Sequence, residues 1–204
     1  MKHSLTRRTI CADLPQRGVT LIELMVGIAL LAILLATAAP NFQGMTASSR
    51  LTSASNDLIG SLQLARSQAI RSGSRVTVCR STDGAQCSTD AAFGWNRGWI
   101  VFQDTTRSSA DAEVNVGENV IENINGLAAG LTIVGSAPIS SYVSFAADGR
   151  SKLMGGGIQS GTIRVCSSAN SLTNDNRARD LVLSSTGQVI VTRPAGVTPD
   201  CPAP

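Results

Sequence analysis

One carboxylate stands in a long apolar stretch near the start of the chain. Residues 19–39 contain a single charged side chain, Glu23. A segment of this length can cross the ~30 Å hydrocarbon core of a bilayer as a helix. A carboxylate deep in lipid costs roughly 2.5–3.5 kcal/mol on insertion scales. The chemistry that Glu23 offers is therefore charge pairing, and residues 19–39 are predicted to form a transmembrane helix that packs with a partner.

The residues around Glu23 form a recognisable motif. Residues 16–23 read QRGVTLIE, follow a short basic leader and lead directly into the apolar stretch. This octapeptide resembles the prepilin cleavage site of the type IV pilin family, which includes the pseudopilins of type II secretion. The alternative is a plain signal anchor with a stray acid.

The resemblance implies a processing reaction and an assembly contact. A membrane-bound prepilin peptidase would cut between Gly18 and Val19, and Val19 would become the N-methylated amino terminus. Phe is commoner than Val at that position in the family. Glu23 would pair with the N-terminal amine of a neighbouring subunit. Pro40 matches a proline that family members often carry, and a proline there predicts local melting or a kink of the helix.

The predicted leader, residues 1–18, carries the whole net charge. The chain has a formal charge of +3. Four basic residues and one acid of the leader account for it: Lys2, Arg7, Arg8, Arg17 and Asp13. A positive leader stays in the cytoplasm, which places everything after Ala39 on the far side of the membrane. We therefore predict a single-pass protein of the bacterial inner membrane with a periplasmic head.

The mature chain is neutral overall and uneven along its length. It has 13 basic and 13 acidic residues, so its net charge gives no general reason to expect nucleic-acid binding. Among the charged residues, basic ones outnumber acidic ones in residues 19–80 and 149–204, and acidic ones outnumber basic ones in residues 81–148. This distribution is typical of a solvated surface, or it provides complementary patches between stacked subunits.

The cysteines predict disulfides. Cys11 belongs to the leader, which leaves Cys79, Cys87, Cys166 and Cys201 in an oxidising compartment. Four cysteines allow three sets of pairings, and the sequence does not choose between them. We favour Cys79–Cys87, which closes a short loop, and Cys166–Cys201, which fixes the Pro-rich tail. Zinc is the competing interpretation, but the only histidine lies in the leader and no Cys-x-x-Cys pair occurs.

Catalytic chemistry finds little support. Loss of His3 with the leader removes Ser-His-Asp and Cys-His catalysis. Residues 155–157 are a glycine run without the lysine of a phosphate-binding loop. The acids between residues 104 and 122 lack the spacing of a calcium loop and are predicted to lie in a solvated loop. These acids are Asp104, Asp111, Glu113, Glu118 and Glu122. We expect no enzyme activity, no metal and no cofactor.

Helical periodicity continues beyond Pro40. Apolar residues recur every three or four positions at Leu51, Ala54, Leu58, Leu62, Ala65 and Ala69. Gly73 is a plausible helix stop. The pattern predicts one helix from about residue 19 to residue 72, with an amphipathic half over residues 40–73.

Short β-branched and aromatic runs follow Gly73, separated by turn residues. They occupy residues 75–79, 99–102, 131–134, 142–145, 162–166, 180–184 and 188–191. The chain is therefore predicted to be α+β, with a long N-terminal helix packed on a predominantly antiparallel, sandwich-like domain over residues 74–204. Trp95 and Trp99 are expected in the core.

Several segments indicate one branch of the family. Residues 62–73, 79–81, 95–102, 145–150 and 177–187 resemble the FimT/GspH branch of the pilin-like proteins. Some FimT relatives bind DNA through a C-terminal Gly-Arg-x-Arg motif. This chain has Gln188 and Ile190 where the motif has arginines. The residues that could replace those cations are Arg177, Arg179, Arg193, Arg150 and Lys152.

The resemblance implies a structural function. The expected role is a minor pilin, processed by prepilin peptidase and incorporated into a type IV pilus as an assembly-priming or tip-proximal subunit. Its partners would be other pilins, the inner-membrane assembly platform and lipid. A GspH-like pseudopilin of type II secretion and a DNA-binding subunit for natural transformation are the alternatives, of which the DNA function is not favoured.

Overall fold

The computed structural model describes residues 18–90, 92–106, 109–201 and 204, and the side chains of residues 37–41 are outside this description. The chain divides into two compact units, Met1–Ala39 and Pro40–Pro204. Residues 1–17 of the predicted leader lie outside the described residues. Helix α1 spans Leu21–Ser72 and belongs partly to each unit.

In the first unit, the apolar side chains of α1 are exposed along residues 21–36. Leu21 and Leu34, for example, are 76% and 69% exposed. Across the described residues, no helix combines the length and the apolar character needed to cross a membrane. The last three residues of the predicted transmembrane segment, 37–39, have side chains that are not described.

In the second unit, one face of α1 forms the centre of the core. The six residues that the periodicity selected are at most 2% exposed: Leu51, Ala54, Leu58, Leu62, Ala65 and Ala69. The predicted helix stop is also confirmed, because α1 ends at Ser72 and Gly73 has φ +62°. Glycine adopts this left-handed conformation without the steric cost that a Cβ brings.

Two four-stranded antiparallel sheets complete the second unit. The strands are β1 Val76–Arg80, β2 Gly98–Gln103, β3 Val120–Asn125, β4 Leu131–Gly135, β5 Tyr142–Phe145, β6 Gly161–Ser167, β7 Ala178–Leu183 and β8 Val189–Thr192. The first sheet has the order β3-β2-β1-β5, and the second has the order β4-β6-β7-β8. Trp95 and Trp99 are fully buried, as predicted, in the core that the sheets share with α1. The predicted α+β fold is confirmed.

A buried polar chain joins α1 to the first sheet. The Trp99 indole Nε1 donates to Ser61 Oγ at 2.9 Å, and Ser61 Oγ donates to a carboxylate oxygen of Glu122 at 2.5 Å. A buried indole N–H that finds an acceptor avoids the desolvation cost of an unpaired donor. Ser61 and Glu122 therefore fix the position of Trp99 in the core.

The prediction that the acids between residues 104 and 122 lie in a solvated loop is wrong in part. Residues 120–125 form edge strand β3, which pairs with β2 across a bulge at Val101 and Phe102. Asp104 is 3% exposed and accepts a hydrogen bond from Thr77 Oγ1 at 2.8 Å. Strand β3 contains Glu122 and two asparagines, residue types that are depleted in strands, and this composition conceals it.

Two turns close against α1 through one side chain. Arg66 Nε donates to the Gly149 carbonyl at 3.0 Å, and its Nη2 donates to the Thr186 carbonyl at 3.2 Å. Gly149 and Gly187 both have positive φ, +74° and +78°. A Cβ on Gly187 would overlap the carbonyl oxygen of Gly149. Glycine at residue 187 therefore allows the two turns to meet beside Arg66.

Gly187→Ala should destabilise the second unit more than Gly196→Ala. Gly196 also has a positive φ, +69°, but a Cβ there meets no atom of the described residues within 4 Å. The left-handed conformation alone costs ~1–2 kcal/mol for alanine, and we expect Gly187→Ala to lose about 3 kcal/mol because the turns must also separate. Urea unfolding of the detergent-solubilised full chain, followed by tryptophan fluorescence, measures both. Equal losses would contradict the close approach.

Candidate functional site

The predicted processing site lies just before α1. Gly18, Val19 and Thr20 are exposed and are not helical. A Cβ placed on Gly18 meets no atom of the described residues within 4 Å, so those residues do not crowd this position. A peptide bond in a non-helical, exposed segment is open to a peptidase. The predicted cut between Gly18 and Val19 thus falls where the backbone is accessible.

Glu23 occupies the first turn of α1. Its backbone N–H donates to Thr20 Oγ1 at 3.3 Å, and the Leu24 N–H donates to the Thr20 carbonyl at 3.1 Å. Thr20 therefore caps the helix. The side chain of Glu23 is exposed, and within residues 18–90, 92–106, 109–201 and 204 no cation contacts its carboxylate. An acid in the first turn lies at the positive end of the helix dipole, and this electrostatic contact stabilises the start of α1.

The sequence predicted local melting or a kink at Pro40; melting is not present, and the kink stays a prediction. Helix α1 is continuous from Leu21 to Ser72. Proline removes one hydrogen bond of the helix, but the turns on both sides keep theirs and helix propagation is cooperative. The side chain of Pro40 lies outside the described residues.

Two disulfides occur in the second unit, and they have the pairings that the sequence favoured. Cys79–Cys87 joins the end of β1 to the following loop, with Cα atoms 5.5 Å apart. Cys166–Cys201 joins β6 to the C-terminal tail, with Cα atoms 6.2 Å apart. Ala178 and Val197 pack with the second pair in a small apolar cluster.

Two of the predicted DNA-contacting arginines are buried. Arg177 is 4% exposed, and its guanidinium donates to the carbonyls of Ser167, Ala169 and Leu172. Arg179 is 8% exposed and donates to the carbonyls of Asn176 and Ala178. Burial lowers the pKa of Arg179, and the nearby charge of Arg193 lowers it further. Arg177 stabilises a loop and does not present its charge to a phosphate.

The other three predicted cations are Arg150, Lys152 and Arg193. Arg150 and Lys152 share a turn with Asp148, whose carboxylate lies 3.3 Å from the Lys152 ammonium. The pKa of Asp148 is lowered, chiefly by the hydrogen bond from the Arg150 backbone N–H. Arg193 is exposed directly after β8. The structure therefore brings Arg179 near Arg193 and partly neutralises Lys152.

The described residues contain no group of three metal-ligating side chains that could hold a metal ion. The acids near residues 104–122 are used in the fold. Glu118, for example, accepts hydrogen bonds from the backbone N–H groups of Thr105, Thr106 and Asn115 at 2.7–2.8 Å. Three donors on one carboxylate stabilise its loop in a defined conformation.

Known families and structures share features with this chain. A family described as type II transport protein GspH matches residues 54–187, and the prokaryotic N-terminal methylation motif matches residues 14–39. No curated protein is significantly similar. The type IV minor pilin FimU of Pseudomonas aeruginosa is 21% identical over 71% of this chain and 89% of its own, with a TM-score of 0.49. The minor pseudopilin EpsH of the Vibrio cholerae type 2 secretion system is 15% identical over 71% and 98%, with a TM-score of 0.46.

Proposed function

This chain belongs to the GspH family and is a minor pilin or pseudopilin, and we propose that it is assembled into a type IV pilus. The observation that carries assembly into a filament is the N-terminal methylation motif over residues 14–39, which contains Gly18, Val19 and Glu23. In the proposed pathway, prepilin peptidase cuts between Gly18 and Val19 and methylates Val19. The protein is a substrate of that enzyme and has no enzyme activity of its own.

Before assembly, residues 19–39 hold the chain in the inner membrane, with the leader in the cytoplasm and residues 74–204 in the periplasm. Assembly then transfers the apolar half of α1 from lipid to a bundle of similar helices. Glu23 pairs with the amine of a neighbouring subunit there, and this pairing offsets the cost of burying both charges. The large and non-repetitive head favours a place at the start or the tip of the filament, in contact with other pilins and the assembly platform.

A pseudopilin of type II secretion is the second candidate. The description of the matched family, type II transport, favours it. The two disulfides and the segments that resemble FimT favour the pilus. DNA uptake is not proposed, because Arg177 and Arg179 are buried and Gln188 and Ile190 replace the cations of the DNA-binding motif.

Deleting the gene and scoring piliation, protein secretion and natural transformation together tests the proposal. We expect surface pili to fall at least tenfold, with recovery by the full chain expressed in trans and normal secretion. Lost secretion with normal pili would favour the pseudopilin. Normal pili and secretion with lost transformation would contradict both filament functions.

A further inference from the structure

Strand β8 is an edge of the second sheet. Another edge strand, β5, is covered by the chain itself, because Ser144 donates its N–H to Gln159 Oε1 and accepts from the Lys152 N–H. Edge strand β3 carries Glu122, and a charge on an edge opposes pairing with other chains. Strand β8 has neither protection: Val189–Thr192 contains no charged residue.

The backbone groups of β8 that point outward follow from its pairing with β7. The Ser184 N–H donates to the Gln188 carbonyl and closes the hairpin. Hydrogen-bonded and non-hydrogen-bonded pairs alternate in an antiparallel ladder, so Ile190 directs its N–H and C=O toward β7. Val189 and Val191 therefore direct theirs away from the sheet, and none of the described residues pairs with them.

The side chains of β8 also leave apolar surface uncovered. Ile190 is 58% exposed and stands opposite Val182 on the outer face. Val191 is 47% exposed although its partner Leu181 is buried in the core. A strand added alongside β8 would cover both side chains and satisfy the free backbone groups at the same time.

Positive charge marks the end of this edge. Arg193 follows β8 directly and lies close enough to Arg179 for their charges to interact. No acid of the described chain forms an ion pair with either one. Asp180, the acid beside Arg179 on β7, is held by Arg164 through two hydrogen bonds of 2.7 and 2.8 Å. Arg193, the exposed one of the two arginines, therefore favours an incoming carboxylate.

We propose that the free edge of β8 receives an extended strand of another filament subunit, with β-branched or aromatic residues against Ile190 and Val191 and an Asp or Glu beside Arg193. The inference rests on the proposed function. A filament holds its subunits side by side, so the strand is present at a high effective concentration and even a short ladder is sufficient. The edge would thus select which subunit stands next to this one.

Photo-crosslinking in cells tests the proposal on the full chain. A photoreactive amino acid replaces Ile190 in one strain and Ile158, which is 74% exposed and outside β8, in a matched strain. Sheared filaments are irradiated, and adducts are mapped by mass spectrometry. We expect at least tenfold more adduct from residue 190, joined to an extended, acid-containing segment of a filament subunit.

Two substitutions separate backbone pairing from charge. Val191→Pro removes an outward N–H and keeps the hydrogen bonds to β7, so it should reduce the residue-190 adduct at least tenfold, whereas Val191→Thr should retain it. Arg193→Glu leaves the backbone unchanged and should reduce the adduct about fivefold. An unchanged adduct in both Val191→Pro and Arg193→Glu would overturn the proposal.

The outcomes distinguish this inference from the proposed function. A chain that is recovered in filaments but forms no adduct at residue 190, or forms one only with a helix, DNA or the assembly platform, overturns the edge proposal alone. A chain that is absent from sheared filaments overturns the proposed function and this inference with it.

Discussion

Glu23→Ala should remove the chain from filaments while leaving its processing largely intact. The carboxylate lies in the first turn of α1, four residues after Val19, and the cut itself lies outside the helix. In the proposed filament the amine of a neighbour would then be buried without a counter-charge. Leaving one member of a buried ion pair alone costs ~3–5 kcal/mol, so we expect the fraction recovered in sheared filaments to fall more than tenfold.

Asp57→Ala is the matched control for this prediction. Asp57 is an exposed acid on the same helix, beyond residues 19–39. Immunoblots of whole cells distinguish precursor from mature chain, and blots of sheared filaments measure incorporation. We expect Asp57→Ala to behave as wild type in both. Normal incorporation of Glu23→Ala would refute the pairing, and accumulation of uncut precursor would assign Glu23 to processing instead.

The periodicity of apolar residues predicted those helices and strands that bury one face in the core. The spacing of Leu51, Leu58 and Leu62 identified the face of α1 that packs in the core. The β-branched runs located seven of the eight strands in the described residues. A strand with one face in the core needs apolar residues on that face, whichever strands it pairs with. Gly73 marked the helix end because glycine adopts the left-handed conformation there at little energetic cost.

Features that depend on distant partners were not visible in the sequence. Ser61 and Glu122 are 61 residues apart, and their residue types alone predict a place on the surface. In the fold, Ser61 contacts both Glu122 and the buried Trp99. Arg177 is predicted as an exposed cation, but it is buried because three carbonyls of one loop converge on it. A lone Arg carries no local signal that separates these two environments. The candidate DNA surface was therefore the least reliable prediction.

Removing Cys166–Cys201 should destabilise the second unit more than removing Cys79–Cys87. The first disulfide closes 35 residues and the second closes 8. Cross-linking lowers the entropy of the unfolded chain with the logarithm of loop length, which gives about 4 kcal/mol for the long loop and about 2.5 kcal/mol for the short one. We therefore expect Cys166→Ala/Cys201→Ala to have the larger loss in the free energy of unfolding.

The two tryptophans make this comparison measurable in the full chain. Trp95 and Trp99 are the only tryptophans and are both fully buried in the second unit, so their fluorescence during urea unfolding in detergent reports that core. The tail also has hydrogen bonds of its own, such as the Val197 N–H to the Asn174 carbonyl at 3.0 Å. In the folded double variant these bonds keep the tail in place, and the cost then arises in the unfolded chain. A larger loss for Cys79→Ala/Cys87→Ala would instead mean that local packing, and not loop length, determines what each disulfide contributes.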